Sequence, residues 1–139
     1  MNWNKKIVNR LNFLMIILLF PTFIISAQEI STEIEKAFLQ GDAELLKNHF
    51  DEKVRLIVLG ESNQTNKTEA IKILNQFLKK YPAADFQSKF ESEKANSNFI
   101  IRTMKSNDET FRVTIFFIKR DANLCINLLR IEKDNESVF

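Results

Sequence analysis

An α+β fold is predicted, with helices gathered early in the chain and strands gathered late. Three observations carry this. Apolar residues recur at helical spacing in the first half of the mature chain. One long stripe, from Ala70 to Tyr81, is wide enough to need a sheet or helix beneath it. Four β-rich runs separated by short polar turns fill residues 86–132. Segregation of this kind defines the class. The expected order is helix, helix, strand, helix, then four strands. The long helix should lie across one face of a curved antiparallel sheet, with the first two helices closing an end.

Residues 1–27 read as a signal peptide rather than fold. Lys5, Lys6 and Arg10 make a basic start, Leu11 to Ile25 is an apolar run, and Ile25-Ser26-Ala27 ends on a small residue. This is the secretory pattern. A spanning anchor needs about 20 apolar residues. The run has 15 positions, and Pro21 lies near its end. Position 28 is Gln, not Cys, so no lipid anchor is expected. The expectation is an exported protein, periplasmic or secreted, with no membrane anchor after cleavage. Removing the three basic residues of the leader leaves 17 basic and 18 acidic groups in 28–139. The precursor's pI near 8.7 therefore gives no support for a nucleic-acid partner.

Residues 28–132 form one domain, and the polar tail 133–139 is expected to fray. Ile30, Ile34, Ala37 and Phe38 share one helical face. Gly41 suits a helix end and Asp42 a following N-cap. A short second helix places Leu45, Leu46, His49 and Phe50 inward. Val54 to Leu59 is a β-rich run stopped by Gly60, and 61–67 is polar and loop-like. Thr68 opens the long helix, and Pro82 closes it because the residue before proline resists helical geometry. Strands follow at Phe86–Phe90, Phe99–Met104, Phe111–Ile118 and Leu124–Glu132, with turns at 107–109 and 121–123. Short turns imply hairpins.

This order resembles the cone-shaped nuclear transport factor two-like, or cystatin-like, fold. More closely it resembles a family of small secreted bacterial proteins of unknown function, found mainly in the Bacteroidetes. The matching residues include Ala37-Phe38…Gly41-Asp42-Ala43…Phe50, Val54…Leu56-Ile57-Val58, Ala70…Ile73-Leu74…Phe77 and Pro82…Phe86. They continue through Phe111-Arg112-Val113 and Leu129-Arg130-Ile131-Glu132. These are core and turn positions, not a catalytic signature. The resemblance implies a cone around an apolar pocket and an outer sheet face able to form dimers. It also implies that some relatives are isomerases or dehydratases with Asp, His or Tyr in the pocket, while many lack catalysis.

The residues themselves narrow the chemistry. Zinc needs about four N, S or O ligands; one His and one Cys on separate elements supply no such spacing. Gly41 and Gly60 are the only glycines, so no phosphate cradle exists. No metal or cofactor is expected. Cys125, between Leu124 and Ile126, reads as a small buried hydrophobe. Two function classes stay open. The first is a non-catalytic binding or interaction module. It would hold a small apolar ligand among Phe38, Phe50, Phe77, Tyr81, Phe86 and Phe117, or a partner on the sheet face. The second is an isomerase- or dehydratase-like enzyme using His49, Tyr81 or Asp85 for acid–base work, which requires two of those groups to converge on one ligand atom.

Strand alternation sorts the sheet into two faces. Phe99, Ile101, Thr103, Phe111, Val113, Ile115, Phe117, Cys125, Asn127, Leu129 and Ile131 are assigned to the helix side. The other face carries Ile100, Arg102, Met104, Arg112, Thr114, Phe116, Ile118, Ile126, Leu128, Arg130 and Glu132. A solvated face should be mostly polar. Apolar residues interleaved with arginine are the composition of an interface. A face-to-face homodimer is expected, with Arg102, Arg112, Phe116, Ile118, Leu128 and Arg130 on the interface and Arg112 and Arg130 pairing with Glu132.

Overall fold

The computed structural model describes residues 26–91 and 98–135. The expected leader therefore lies outside the described residues, apart from its last two positions. Helix α1 spans Ser26–Gln40, two residues earlier than the expected domain boundary. Its face of Ile30, Ile34, Ala37 and Phe38 is fully buried. Gly41, at φ 67°, turns the chain at the helix end, a conformation that costs glycine nothing. A 3-10 helix follows over Ala43–His49, with the Asp42 side chain accepting from the Glu44 N–H at 3.0 Å.

Strand β1 spans Phe50–Val58 and is followed by β2, Glu61–Thr65. The polar run expected to be a loop is thus mostly a strand, paired antiparallel to β1. Leu59 and Gly60 both take positive φ, 51° and 90°, as a two-residue type I′ turn requires. Edge strand β2 is exposed apart from half-buried Thr65, so it gives no apolar alternation to read. Helix α2, Lys67–Lys80, starts one residue before Thr68; Asn66 caps it, accepting from the Glu69 N–H at 3.0 Å. Its stripe of Ala70, Ile71, Leu74, Phe77 and Leu78 is buried, and the helix ends before Tyr81-Pro82.

Strands β3 (Asp85–Glu91), β4 (Phe99–Ser106), β5 (Glu109–Arg120) and β6 (Asn123–Lys133) complete the fold. One six-stranded sheet results, in the order β2-β1-β6-β5-β4-β3. Every neighbouring pair is antiparallel except β1 with β6, which run parallel. The α+β class and the curved sheet packed against the long helix are as expected; the added strand and the parallel pair are new.

Two strands depart from the expected facing. In β4 the buried residues are Arg102, Met104 and Ser106, because Met104 stands opposite Phe111 and Arg102 opposite Val113 on the core side. Arg102, expected on the open face, is instead 6% exposed. The core accepts it because its guanidinium donates to Ser31 Oγ on α1. In β6 the pairing steps from Phe116↔Leu128 to Phe117↔Ile126, bulging at Asn127. A bulge shifts the facing of everything beyond it. Ile126 therefore turns into the core, and Cys125 stands opposite Ile118, half-buried rather than sealed in.

The start of the tail is also better held than expected. Lys133 belongs to β6, and the Asp134 side chain is 6% exposed. Asp134 accepts from Arg112 Nη2 and Lys89 Nζ, both at 3.3 Å. Residues 136–139 lie outside the described residues.

Candidate functional site

The helix side of the sheet is filled by aromatic rings packed on one another. Phe38 stacks on Phe86 at 4.5 Å between centroids. Phe77 and Tyr81 both meet Phe111, at 5.3 and 4.9 Å. Phe117 is 6% exposed. Of the six side chains expected to line a pocket, Phe50 alone borders the open cleft at one end of the cone.

That cleft has a volume of about 840 Å³. It lies where α1 begins, the 3-10 helix ends, and β5 turns into β6. His49, Phe50, Asp51, Lys67, Arg120 and Cys125 are among its lining residues. Asp51 has an 8% exposed side chain and takes two bonds from Arg120: Nε to Oδ1 at 3.2 Å and Nη2 to Oδ2 at 3.0 Å. The hydrogen bonds from Arg120 hold the Asp51 carboxyl below its ordinary value of 3.8, assisted by the Glu52 backbone N–H and opposed by burial. Asp51 in turn raises the Arg120 pKa. Lys67 pairs with Glu52 at 3.1 Å on the rim.

Of the three candidate acid–base residues, His49 is set apart from Tyr81 and Asp85. His49 lines the cleft near Arg120, at the end of β5. Tyr81 packs on Phe111 near the start of β5, and Asp85 pairs with Lys105 across β3 and β4. At about 3.3 Å per residue, the two ends of β5 are roughly 30 Å apart. Sequence reasoning missed Asp51 and Arg120. Their positions lie 69 apart, and neither stands in a local motif. Among the described residues, no group of three or more His, Cys, Asp or Glu could hold a metal ion, and no helix is long and apolar enough to cross a membrane.

The face of the sheet opposite the helices carries a second feature. Phe90, Phe99 and Phe116 run side by side across β3, β4 and β5, with centroids 5.8 and 5.5 Å apart. Leu128 continues the row onto β6, opposite Phe116. Phe90 is 50% exposed and Phe116 37% exposed. Arg112, Ile118, Leu128 and Arg130 are half-buried on this face, as expected. Phe99 and Ile101 join it in place of Arg102 and Met104.

The comparisons with known proteins agree with this architecture. A Bacteroides ovatus DUF4783 protein of known crystal structure is 29% identical, with a TM-score of 0.71 over 79% of this chain and 100% of its own. A second, from Bacteroides uniformis, is 26% identical, with a TM-score of 0.69 over 76% of this chain and 97% of its own. A nuclear transport factor two-like protein of unknown function from Silicibacter pomeroyi shares the fold at 13% identity, with a TM-score of 0.57 over 78% of this chain and 93% of its own. No curated protein matches the chain in sequence. The family model for the domain of unknown function DUF4783 matches residues 31–132, the stretch from the buried face of α1 to the end of the β6 core, and the chain belongs to that family.

Proposed function

We propose that this chain is an exported, non-catalytic interaction module that pairs with a second copy of itself through the helix-free face of its sheet. The observation that carries the reading is the row Phe90–Phe99–Phe116, which leaves two large aromatic rings partly in water. A contiguous apolar patch of this kind marks an interaction site. A second copy suits the face because it carries both signs of charge, Arg112 on β5 and Arg130 and Glu132 on β6. A two-fold axis through such a face sets each sign against the other. The near balance of 17 basic and 18 acidic groups in 28–139 adds no general repulsion between copies. The leader pattern of residues 1–27 supports export.

An apolar ligand inside the cone is less well supported, since the rings there occupy one another's surfaces. The enzyme reading is left without His49, which lies far from Tyr81 and Asp85.

Sedimentation equilibrium tests the pairing. The purified protein should be a dimer, and Phe116→Glu should be a folded monomer with an unchanged circular dichroism spectrum. A wild-type monomer, or a Phe116→Glu dimer, overturns the reading.

A further inference from the structure

The cleft beside Phe50 holds a guanidinium that is anchored on one flank and open at its end. Arginine has five N–H donors in a planar fork. Asp51 takes one from Nε and one from Nη2. Three remain: two on Nη1 and the second on Nη2. One from each terminal nitrogen point the same way, and that parallel pair matches the two oxygens of a carboxylate. The Asp51 side chain is 8% exposed and the Arg120 side chain 63% exposed. The buried carboxylate therefore fixes the plane of the guanidinium while its free end meets the cleft.

The surroundings select among anions. Leu124 and Cys125, both half-buried, make an apolar wall beside Arg120. The charged lining is Glu29, Asp51 and Glu52 against Lys53, Lys67 and Arg120, so the signs cancel. Asp51 already pairs with Arg120 and Glu52 with Lys67. Among the described residues Lys53 and Glu29 make no ion pair and offset each other, so what the lining offers an anion is the free fork of Arg120. The lining carries no surplus positive charge, so each added negative charge meets more repulsion from the three carboxylates, and a monoanion is favoured over a dianion.

We propose that this cleft binds a monocarboxylate with an apolar body, its carboxylate on the free end of Arg120 and its body on Leu124 and Cys125. The site adjoins the sheet face where Cys125 stands opposite Ile118, but binding there does not rest on pairing through that face.

Isothermal titration calorimetry of the purified protein with 4-phenylbutyrate, 4-phenylbutan-1-ol and inorganic phosphate tests it. The acid should bind about tenfold or more tightly than the alcohol, the worth of a charge-assisted bond, and phosphate should bind more weakly than the acid. Arg120→Lys keeps a cation beside Asp51 but lacks the fork, and should lose about tenfold for the acid only. The double variant Asp51→Asn/Arg120→Gln strands no buried charge and should lose the same preference while its melt stays cooperative. Absence of acid binding, equal binding of acid and alcohol, phosphate binding as tight as the acid, or an Arg120→Lys variant that binds the acid like wild type each overturns the proposal.

Discussion

Asp51 and Arg120 join two strands that are not hydrogen-bonded to each other. β6 lies between β1 and β5 in the sheet, and the pair reaches across its first residues with two bonds of 3.2 and 3.0 Å. It can do so because β1 leaves the ladder there: its pairing to β6 jumps from Phe50↔Ile126 to Arg55↔Leu128. Residues 51–54 step out of register, and Asp51 is free to face the β5–β6 turn.

That pair makes stability depend on pH in a defined direction. The folded Asp51 carboxyl is held below 3.8, chiefly by the Arg120 hydrogen bonds. A depressed carboxyl contributes stability that is fully present above its unfolded value and is lost as pH falls through the folded one. Urea unfolding of wild type and Asp51→Asn should therefore differ by a constant amount at neutral pH. The difference should shrink once pH drops below 3.8. A difference that grows with acid would contradict the assignment.

Phe38 is fully buried and stacked on Phe86 at 4.5 Å. Phe38→Ala should cost about 3–5 kcal/mol in denaturant unfolding, the range for large-to-small changes in a packed core. Phe90→Ala, at a ring 50% exposed, should stay within about 0.5 kcal/mol for the monomer. The pair of measurements separates rings that hold the fold from rings that face outward.

Asn75 ties α2 to the 3-10 helix. Its Oδ1 accepts the N–H of Ala43 at 2.8 Å, and Ala43 is fully buried. Asn75→Ala should cost about 1–3 kcal/mol, since a buried donor is left unpaired. Asn75→Asp keeps an acceptor oxygen and should recover most of the loss in the same unfolding assay.

The helices were legible because a helical stripe repeats several times. Ile30, Ile34 and Phe38 on α1, and Ala70, Leu74 and Phe77 on α2, are buried as their spacing predicts. Strand β5 was legible for the same reason, with Phe111, Val113, Ile115 and Phe117 all facing the core. Its neighbours were not. In β6 the bulge at Asn127 reverses the facing of Cys125 and Ile126, and no residue type there announces it. In β4 the register places Arg102 inside, against the preference of a charged residue for water. Ser31, 71 positions away, accepts one of its hydrogen bonds. The cleft was hidden in the same way: Asp51 and Arg120 are ordinary charged residues until the sheet brings them together.

The parallel pairing of β1 with β6 also governs how the chain can fold. Arg55 and Leu128 are neighbours in the sheet but 73 positions apart in the chain. Hairpins β1–β2, β4–β5 and β5–β6 can form locally, yet the sheet closes only when its last strand reaches one of its first. Contacts of such long range bring the large loop-closure entropies that slow folding. A polypeptide emerging N-terminus first can pair β1 with β2 and pack α2 on β1, but the other edge of β1 stays open until β6 has arrived through Ile131. The open intermediate therefore exposes the free edge of β1 from Arg55 to Val58, a template for wrong pairing, and any factor that shields the nascent chain would act on that edge.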